Sequence, residues 1–222
     1  MSVAQNIQEI RKNIPANVSL VCVSKFHPEN AILEAYNCGE RIFGESRVQE
    51  LLAKQTKLPA DIQWHFIGHL QSNKIKLILP TVSLIHGVDS SNLLKEINSR
   101  ALKAGRVVSC LLQVHIAREE TKFGFSIEEI HQMISGIEFG SLENVQINGL
   151  MGMATLTDDK EQIRAEFRTL RQLYDELKRE YFQNNENFCE LSMGMSDDYQ
   201  IAIDEGSTMV RIGSSIFGMR EY

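Results

Sequence analysis

A lysine stands where an apolar segment ends. In the stretch "SLVCVSKFHP", residues 19–28, an apolar run from Leu20 to Val23 is followed by Ser24 and then by Lys25. Lysine is rarely buried without a partner, so one at the end of a core strand needs a reason. Partial removal from water disfavours the ammonium form, and a neutral amine can form Schiff bases with carbonyl compounds. Lys25 is therefore a candidate for carbonyl chemistry, although a lysine that simply reaches solvent from a strand end would leave the same pattern.

A second candidate is the glycine–serine turn in "RIGSSIFG", where Gly213 and Ser214 follow Arg211 at the end of the last apolar segment. Glycine lets the backbone approach an anion closely, and serine hydroxyls can donate hydrogen bonds to it. Ser196 lies in "LSMGMSDD" and is predicted to cap a short helix after the preceding strand. Either turn alone could be an ordinary loop, but two adjacent ones indicate a phosphate-binding corner.

The elements that must position these residues alternate regularly along the chain. Short apolar runs predict strands, and the amphipathic segments between them predict helices. The predicted strands are 18–24, 41–43, 62–67, 83–86, 107–115, 145–151, 188–192 and 208–212. The predicted helices are 29–38, 45–56, 90–104, 126–134, 160–182 and 197–205.

This alternation implies parallel strands with helices outside them. Eight strands in 222 residues predict an α/β fold in which residues 1–222 form a single (β/α)8 TIM barrel domain. A doubly wound open sheet is the rival, and it would need fewer strands or an edge strand that the sequence does not mark. Active sites of such barrels lie at the C-terminal strand ends, where Lys25, Ser196 and the Arg211–Ser214 segment fall.

Composition narrows the class of protein. Apolar residues make up 43% of the chain, and the formal charge of −6 argues against broad nucleic-acid binding. No apolar run is long enough for a membrane span and the N-terminus has no apolar signal core, so a cytoplasmic protein is expected. The four cysteines lack CxxC spacing and are predicted to be reduced thiols. His65 and His69 straddle a strand end and are expected to serve packing or loop hydrogen bonds rather than a metal.

A phosphate corner beside a Schiff-base lysine fits two ligands. One is a phosphorylated sugar handled by an aldolase, and the other is pyridoxal 5′-phosphate (PLP), which carries its own aldehyde and phosphate. Arg211 lies two residues before Gly213 and is predicted to point the same way, toward the barrel interior or mouth. A guanidinium only donates hydrogen bonds, so beside a pyridine nitrogen it would keep that nitrogen unprotonated. An ion pair inside the barrel is the other interpretation of Arg211.

Six segments, taken together, resemble a known family. They are "VSKFHP", "FGESRVQE", "WHFIGHLQSNK", "IHGVDS", "GLMGMA" and "LSMGMSDDYQIAIDEGSTMVRIGSSIFG". Their order and spacing, from about residue 18 to 219, are similar to those of the YggS/PROSC family of PLP homeostasis proteins. The resemblance implies a single-domain relative of the alanine racemase N-terminal barrel (fold-type III). Members of the family are regarded as PLP carriers or regulators of vitamin B6 pools without an established catalytic activity.

The resemblance also implies roles for individual residues. Lys25 falls on the Schiff-base position, Arg211 on the position that faces the pyridine nitrogen, and Ser196, Gly213 and Ser214 on the phosphate-binding positions. Many members have asparagine near the ring oxygen of the cofactor, where this chain has Ser46. Serine is shorter, so we expect a water to bridge Ser46 and the cofactor. Lys122, in the loop after the fifth strand, is expected to be a solvated lysine rather than a second site for PLP or an anion.

Three functional hypotheses remain. In the first, a monomer holds PLP as an aldimine on Lys25, without turnover, and buffers it or passes it to apo PLP-dependent enzymes. The second is a PLP-dependent amino-acid racemase or lyase of the alanine racemase type, and the third is a Schiff-base aldolase. Racemisation needs an acid and a base on opposite faces of the substrate. Alanine racemases draw one of these from a C-terminal β-domain and a dimer partner; 11 residues follow Arg211, so we expect no such domain and an open pocket.

Overall fold

Eight parallel strands form a closed barrel at the centre of the molecule, in the order in which they occur along the chain. This is seen in a computed structural model that describes residues 2–118 and 123–218. The strands are β1 (Ser19–Val23), β2 (Ile42–Glu45), β3 (Gln63–Phe66), β4 (Val82–Val88), β5 (Val108–Val114), β6 (Val145–Gly152), β7 (Glu190–Ser192) and β8 (Met209–Ile212). The closure confirms the predicted (β/α)8 barrel and excludes an open doubly wound sheet.

Helices surround the barrel. Within the described residues they are α1 (Val3–Arg11), α2 (Glu29–Asn37), α3 (Val48–Gln55), α4 (Ile75–Ile78), α5 (Ser91–Lys103), α6 (Ile127–Ser135), α7 (Lys160–Glu180), α8 (Tyr199–Asp204) and α9 (Ser214–Phe217). Short 3-10 turns occupy Ser72–Lys74 and Phe139–Ser141. In this part of the chain no helix has the length and apolar character that crossing a membrane requires.

Two apolar layers hold the barrel. The outer layer lies between strands and helices and contains the fully buried rings Phe43, Phe66, Phe167 and Phe188. A separate cluster of Val21, Leu84, Leu111, Met151 and Met209 fills the interior. Burying one such large side chain contributes about 1.5–3 kcal/mol, so both layers favour a single well-packed barrel.

The seam between β1 and β8 decides where the site lies. Val21 pairs with Arg211 and Cys22 with Ile212 across this seam. Adjacent residues of a strand point to opposite faces, so Arg211 shares the inward face with Val21 and Ile212 the outward face with Cys22. The register therefore brings the β8 arginine inside the barrel, next to the strand that leads to Lys25.

Some elements differ from the sequence prediction. Helix α1 was not predicted, although Ser2 and Gln5 form a capping box at its start. It buries Ile7 and Ile10 and packs against α2 and α9, so it closes the barrel from outside at the β1–β8 seam. Helix α3 begins at residue 48 rather than 45, because β2 continues through Glu45, which pairs with Phe66 of β3.

Candidate cofactor-binding site

A cavity of about 220 Å³ opens at the C-terminal ends of the strands. Its polar groups come from the segment after β1, the loop after β7, and β8 with its turn, while the segments after β3 and β6 supply apolar side chains. Its lining consists of Val23, Lys25, Ile67, Met153, Met195, Ser196, Asp197, Arg211, Gly213 and Ser214. It thus brings together five of the six residues singled out in the sequence.

Lys25 lies two residues beyond β1 and is partly buried. Val23, which precedes it on the same face, also lines the cavity. The next residue, Phe26, has φ 68°, in the left-handed region that residues with a β-carbon rarely adopt. The chain therefore turns sharply just after the lysine, and the turn needs support from its surroundings.

Ser196 does not cap α8, contrary to the sequence prediction. Helix α8 begins at Tyr199, and its N-cap residue is Asp198, whose carboxylate accepts a hydrogen bond from the Met195 N–H at 2.5 Å. The Ser196 hydroxyl instead accepts long hydrogen bonds from the backbone N–H groups of Gly213 and Ser215, at 3.4 and 3.5 Å. The β7 loop and the β8–α9 turn therefore meet at the edge of the cavity.

Gly213 is closely packed where β1 and β8 come together. A β-carbon placed on it would lie 3.2 Å from both the carbonyl oxygen and Cβ of Val23. Few real β-carbons come that close, so a larger residue would require Val23 or the turn to shift by a few tenths of an ångström. Ser214, the first residue of α9, stands beside this contact and also lines the cavity.

Arg211 is buried beneath the cavity, with 4% of its surface exposed. One terminal nitrogen, Nη1, donates to the Ser192 carbonyl at 2.9 Å and to its hydroxyl at 2.6 Å. The other, Nη2, donates to the Gly152 carbonyl at 3.1 Å. Burial lowers the pKa of Arg211 to about 10, a shift that the Asp198 carboxylate partly opposes. The guanidinium remains protonated at neutral pH and presents a fixed positive charge.

A chain of polar side chains continues from Arg211 through the barrel interior. The Ser192 hydroxyl is 3.2 Å from His86 Nδ1, and His86 Nε2 is 3.0 Å from His65 Nδ1. Burial lowers the pKa of His65 to about 4 and that of His86 well below its usual range, with the charges of His65 and Arg211 adding to the effect on His86. Both imidazoles are thus neutral at pH 7 and serve as hydrogen-bond partners.

The remaining candidates lie apart from the cavity. His69 pairs with Asp89 at 2.9 Å, and the described residues contain no group of three or more metal-ligating side chains. Ser46 follows β2 and packs against Gly68, outside the cavity lining, so its contact with a cofactor stays a prediction. Lys122 falls outside the described residues.

Sequence reasoning gave no chemical role to five of the lining residues, which are Val23, Ile67, Met153, Met195 and Asp197. Ile67 and Met153 lie just beyond the ends of β3 and β6, where apolar side chains can belong to the core or to a pocket. Asp197 stands next to Ser196 and is the one carboxylate among the lining residues that the structure describes. Its neighbour Asp198 is buried as the α8 N-cap, so the two aspartates of "SDD" have different surroundings.

Comparison with known proteins agrees with this geometry. The family described as alanine racemase, N-terminal domain, matches residues 1–221. The pyridoxal phosphate homeostasis protein of Aquifex aeolicus is 45% identical over 204 residues, which are 91% of this chain and 87% of that protein. The protein of the same name from Schizosaccharomyces pombe is 38% identical over 208 residues, which are 92% and 85% of the two chains.

Solved structures show the same relationship. PipY of Synechococcus elongatus PCC7942 is known without PLP and with PLP bound; both structures are 38% identical to this chain, with TM-scores of 0.90 and 0.88, and each match covers 98% of this chain and 100% of PipY. Alanine racemase from Bartonella henselae is 13% identical with a TM-score of 0.74 and shares the barrel fold, the match covering 98% of this chain and 58% of the racemase. The chain therefore belongs to the alanine racemase N-terminal domain family and, within it, to the pyridoxal phosphate homeostasis proteins.

Proposed function

We propose that this protein binds PLP in the cavity at the barrel mouth, covalently through Lys25, and acts in intracellular PLP homeostasis. One observation carries the proposal: a single cavity is lined by Lys25 from β1, Ser196 from the β7 loop, and Arg211, Gly213 and Ser214 from β8 and its turn. The names of the relatives and the PLP-bound PipY structure support it.

The residues of the cavity fit the distinctive groups of PLP. When bound, PLP supplies an electrophilic aldehyde, and bonding between its carbon and the Lys25 nitrogen releases one water molecule. The β8–α9 turn offers the backbone N–H groups of Gly213 and Ser215 and the Ser214 hydroxyl, and the β7 loop adds the Ser196 hydroxyl; these groups suit a phosphate. Arg211 offers a donor-only cation, which suits the unprotonated ring nitrogen.

Arg211 is held for this task by the protein itself. Its three hydrogen bonds to Ser192 and Gly152 hold the guanidinium beneath the cavity. A charge positioned in advance binds its partner without paying to reorder a flexible side chain. We infer that Arg211 orients the cofactor ring and keeps its nitrogen from gaining a proton, which weakens the ring as an electron sink.

We propose a holding role rather than turnover. Racemisation of an amino acid needs positioned acid–base groups on both faces of the substrate. Besides Lys25, the described lining residues offer the Asp197 carboxylate, which is exposed. An accessible cavity suits loading and release of the cofactor, and we further propose that the protein works as a monomer in the cytoplasm and passes PLP to apo PLP-dependent enzymes.

The first test is covalent attachment. Purified protein mixed with PLP is expected to gain a yellow absorbance, and borohydride should fix the cofactor to the peptide that contains Lys25, as read by mass spectrometry. Lys25→Ala should stay colourless and gain no mass, whereas the surface variant Lys57→Ala should behave as the wild type. A colourless wild type with added PLP, or attachment at another lysine, would overturn the proposal.

A further inference from the structure

The peptide groups on both sides of Lys25 are held by one buried cluster of charged side chains. The Lys54 ammonium, from α3, donates to the Ser24 carbonyl at 2.8 Å and to Glu45 Oε1 at 2.7 Å. Glu45, the last residue of β2, also accepts the Ser24 hydroxyl at 2.6 Å. On the other side of Lys25, the Phe26 N–H donates to Glu50 Oε2 at 2.9 Å, and this oxygen lies 3.3 Å from the Lys54 ammonium.

Lys54 is unusual because it is buried. It is 5% exposed and lies on the same face of α3 as Val48 and Leu51, which pack into the outer apolar layer. Glu45 is fully buried beside it, and its Oε2 has no hydrogen-bond partner among the described residues. A buried ion pair is weak evidence for stability, because removing both charges from water offsets their attraction. We therefore expect this pair to position the groups that it contacts.

The charged cluster contacts the turn at Phe26, whose backbone conformation is strained. Phe26 adopts the left-handed φ of 68°, and its N–H is the group that Glu50 binds. The Ser24 carbonyl, one residue before Lys25, is the group that Lys54 binds. Together these two bonds define the direction in which the chain leaves β1, and so the direction in which the Lys25 side chain enters the cavity.

We propose that Lys54 is a positioning residue for Lys25, acting through Glu45 and Glu50 to hold the Ser24–Phe26 backbone so that the Lys25 amine meets the cofactor aldehyde. Lys54 lies on the helix side of β1 and β2 and is not among the residues that line the cavity, so it acts through the backbone rather than on the ligand. This inference rests on the proposed function, since it assumes that Lys25 is the residue that bonds PLP.

The test measures covalent attachment of PLP to Lys25 separately from non-covalent binding of a cofactor analogue. Pyridoxine 5′-phosphate has an alcohol in place of the aldehyde, so it probes the phosphate and ring contacts without bonding to lysine. In Lys54→Met, the rate of PLP attachment to Lys25 is expected to fall about tenfold or more, as small misplacements of reacting groups do. The Kd for pyridoxine 5′-phosphate should change by less than about threefold. Amide hydrogen exchange of Phe26, followed by NMR, should become faster in the same variant without ligand.

Two further variants keep the result interpretable. Lys54→Met leaves Glu45 buried without its cation, so Lys54→Met/Glu45→Gln removes both charges and should fold if the single variant does not. Lys57→Met breaks an exposed ion pair with Glu29 near the end of the same helix and should leave both readouts unchanged. If attachment in the folded double variant stays near the wild-type rate, or falls in proportion to pyridoxine 5′-phosphate binding, the positioning role is wrong. A wild type that never attaches PLP would instead refute the proposed function, which is a different result.

Discussion

At the scale of single residues, Glu45 has a pKa far from the ordinary value of a glutamate. Burial raises the pKa of this carboxyl to about 7, although Lys54 and the Ser24 hydroxyl favour its charged form. Glu50, nearby, has a lowered pKa, because the effect of burial is outweighed by the Phe26 N–H, Glu45 and Lys54. The two carboxyl groups around one ammonium therefore differ, with Glu50 the firmly ionised partner at neutral pH.

This difference predicts a pH-dependent stability. The pKa of Glu45 is higher in the folded state than its ordinary value of 4.5, so the folded protein binds more protons in this interval. Its stabilising contribution is fully present below pH 4.5 and is lost as the pH rises through about 7. In urea titrations across this range, the wild type should lose up to roughly 3 kcal/mol of unfolding free energy relative to Glu45→Gln. A difference that stays constant or grows with pH would show that Glu45 is ionised throughout, as a simple partner of Lys54.

At the scale of elements, the β7–α8 connection contains a tight turn beside the site. Gly194 has φ 96°, and a β-carbon there would lie 2.6 Å from the Ala202 side chain and 2.9 Å from the Tyr199 backbone. Its carbonyl accepts the Arg211 N–H at 3.0 Å, so it joins β7, α8 and β8. The glycine thus lets α8 sit against the strand ends and places Ser196 over the Gly213 turn.

A series of glycine-to-alanine substitutions tests this role. Gly140→Ala, with open space and no left-handed φ, should change the unfolding free energy by less than about 0.5 kcal/mol. Gly105→Ala, with φ 64° and open space, should cost roughly 1–2 kcal/mol for the backbone conformation alone. Gly194→Ala adds the clash with α8 and should cost about 2–5 kcal/mol. Denaturant unfolding measures the series, and equal costs at positions 105 and 194 would mean that α8 shifts freely.

At the scale of the whole molecule, most of the fold was predictable from the hydrophobic periodicity and from the alternation of strands and helices. The eight strands and six of the helices (α2, α3 and α5 to α8) follow from apolar runs and amphipathic spacing, whereas the short helix α4 between β3 and β4 was not predicted. Helix α1 was missed because only Ile7 and Ile10 mark its buried face, and its polar remainder resembles a loop. Lys54 could not be assigned from the sequence either, since the burial of a helical lysine depends on which long-range partners meet it, here Glu45 and the Ser24 carbonyl.

The sequence predicted those residues of the cavity lining whose positions follow from the ends of the strands. Lys25, Arg211 and Gly213 lie on one inward-facing rim because parallel strands in a closed barrel end together. Ser196 reached the same cavity for a reason different from the one predicted, since it contacts the β8–α9 turn rather than capping α8. Hydrogen-bond partners across strands depend on register, which local sequence patterns do not encode.

The groups that line the cavity lead to a prediction about catalytic turnover of amino acids. Racemisation of an amino acid needs Lys25 as base and a second group able to return a proton from the other face. Asp197 is the carboxylate that the described lining offers, and its exposure leaves it poorly placed for controlled proton transfer. PLP-loaded protein incubated with L-alanine should therefore form less than about one D-alanine per bound cofactor, as measured by chiral chromatography. Repeated racemisation by the wild type that Asp197→Asn abolishes would instead establish the racemase-type alternative, with Asp197 as the second acid–base group.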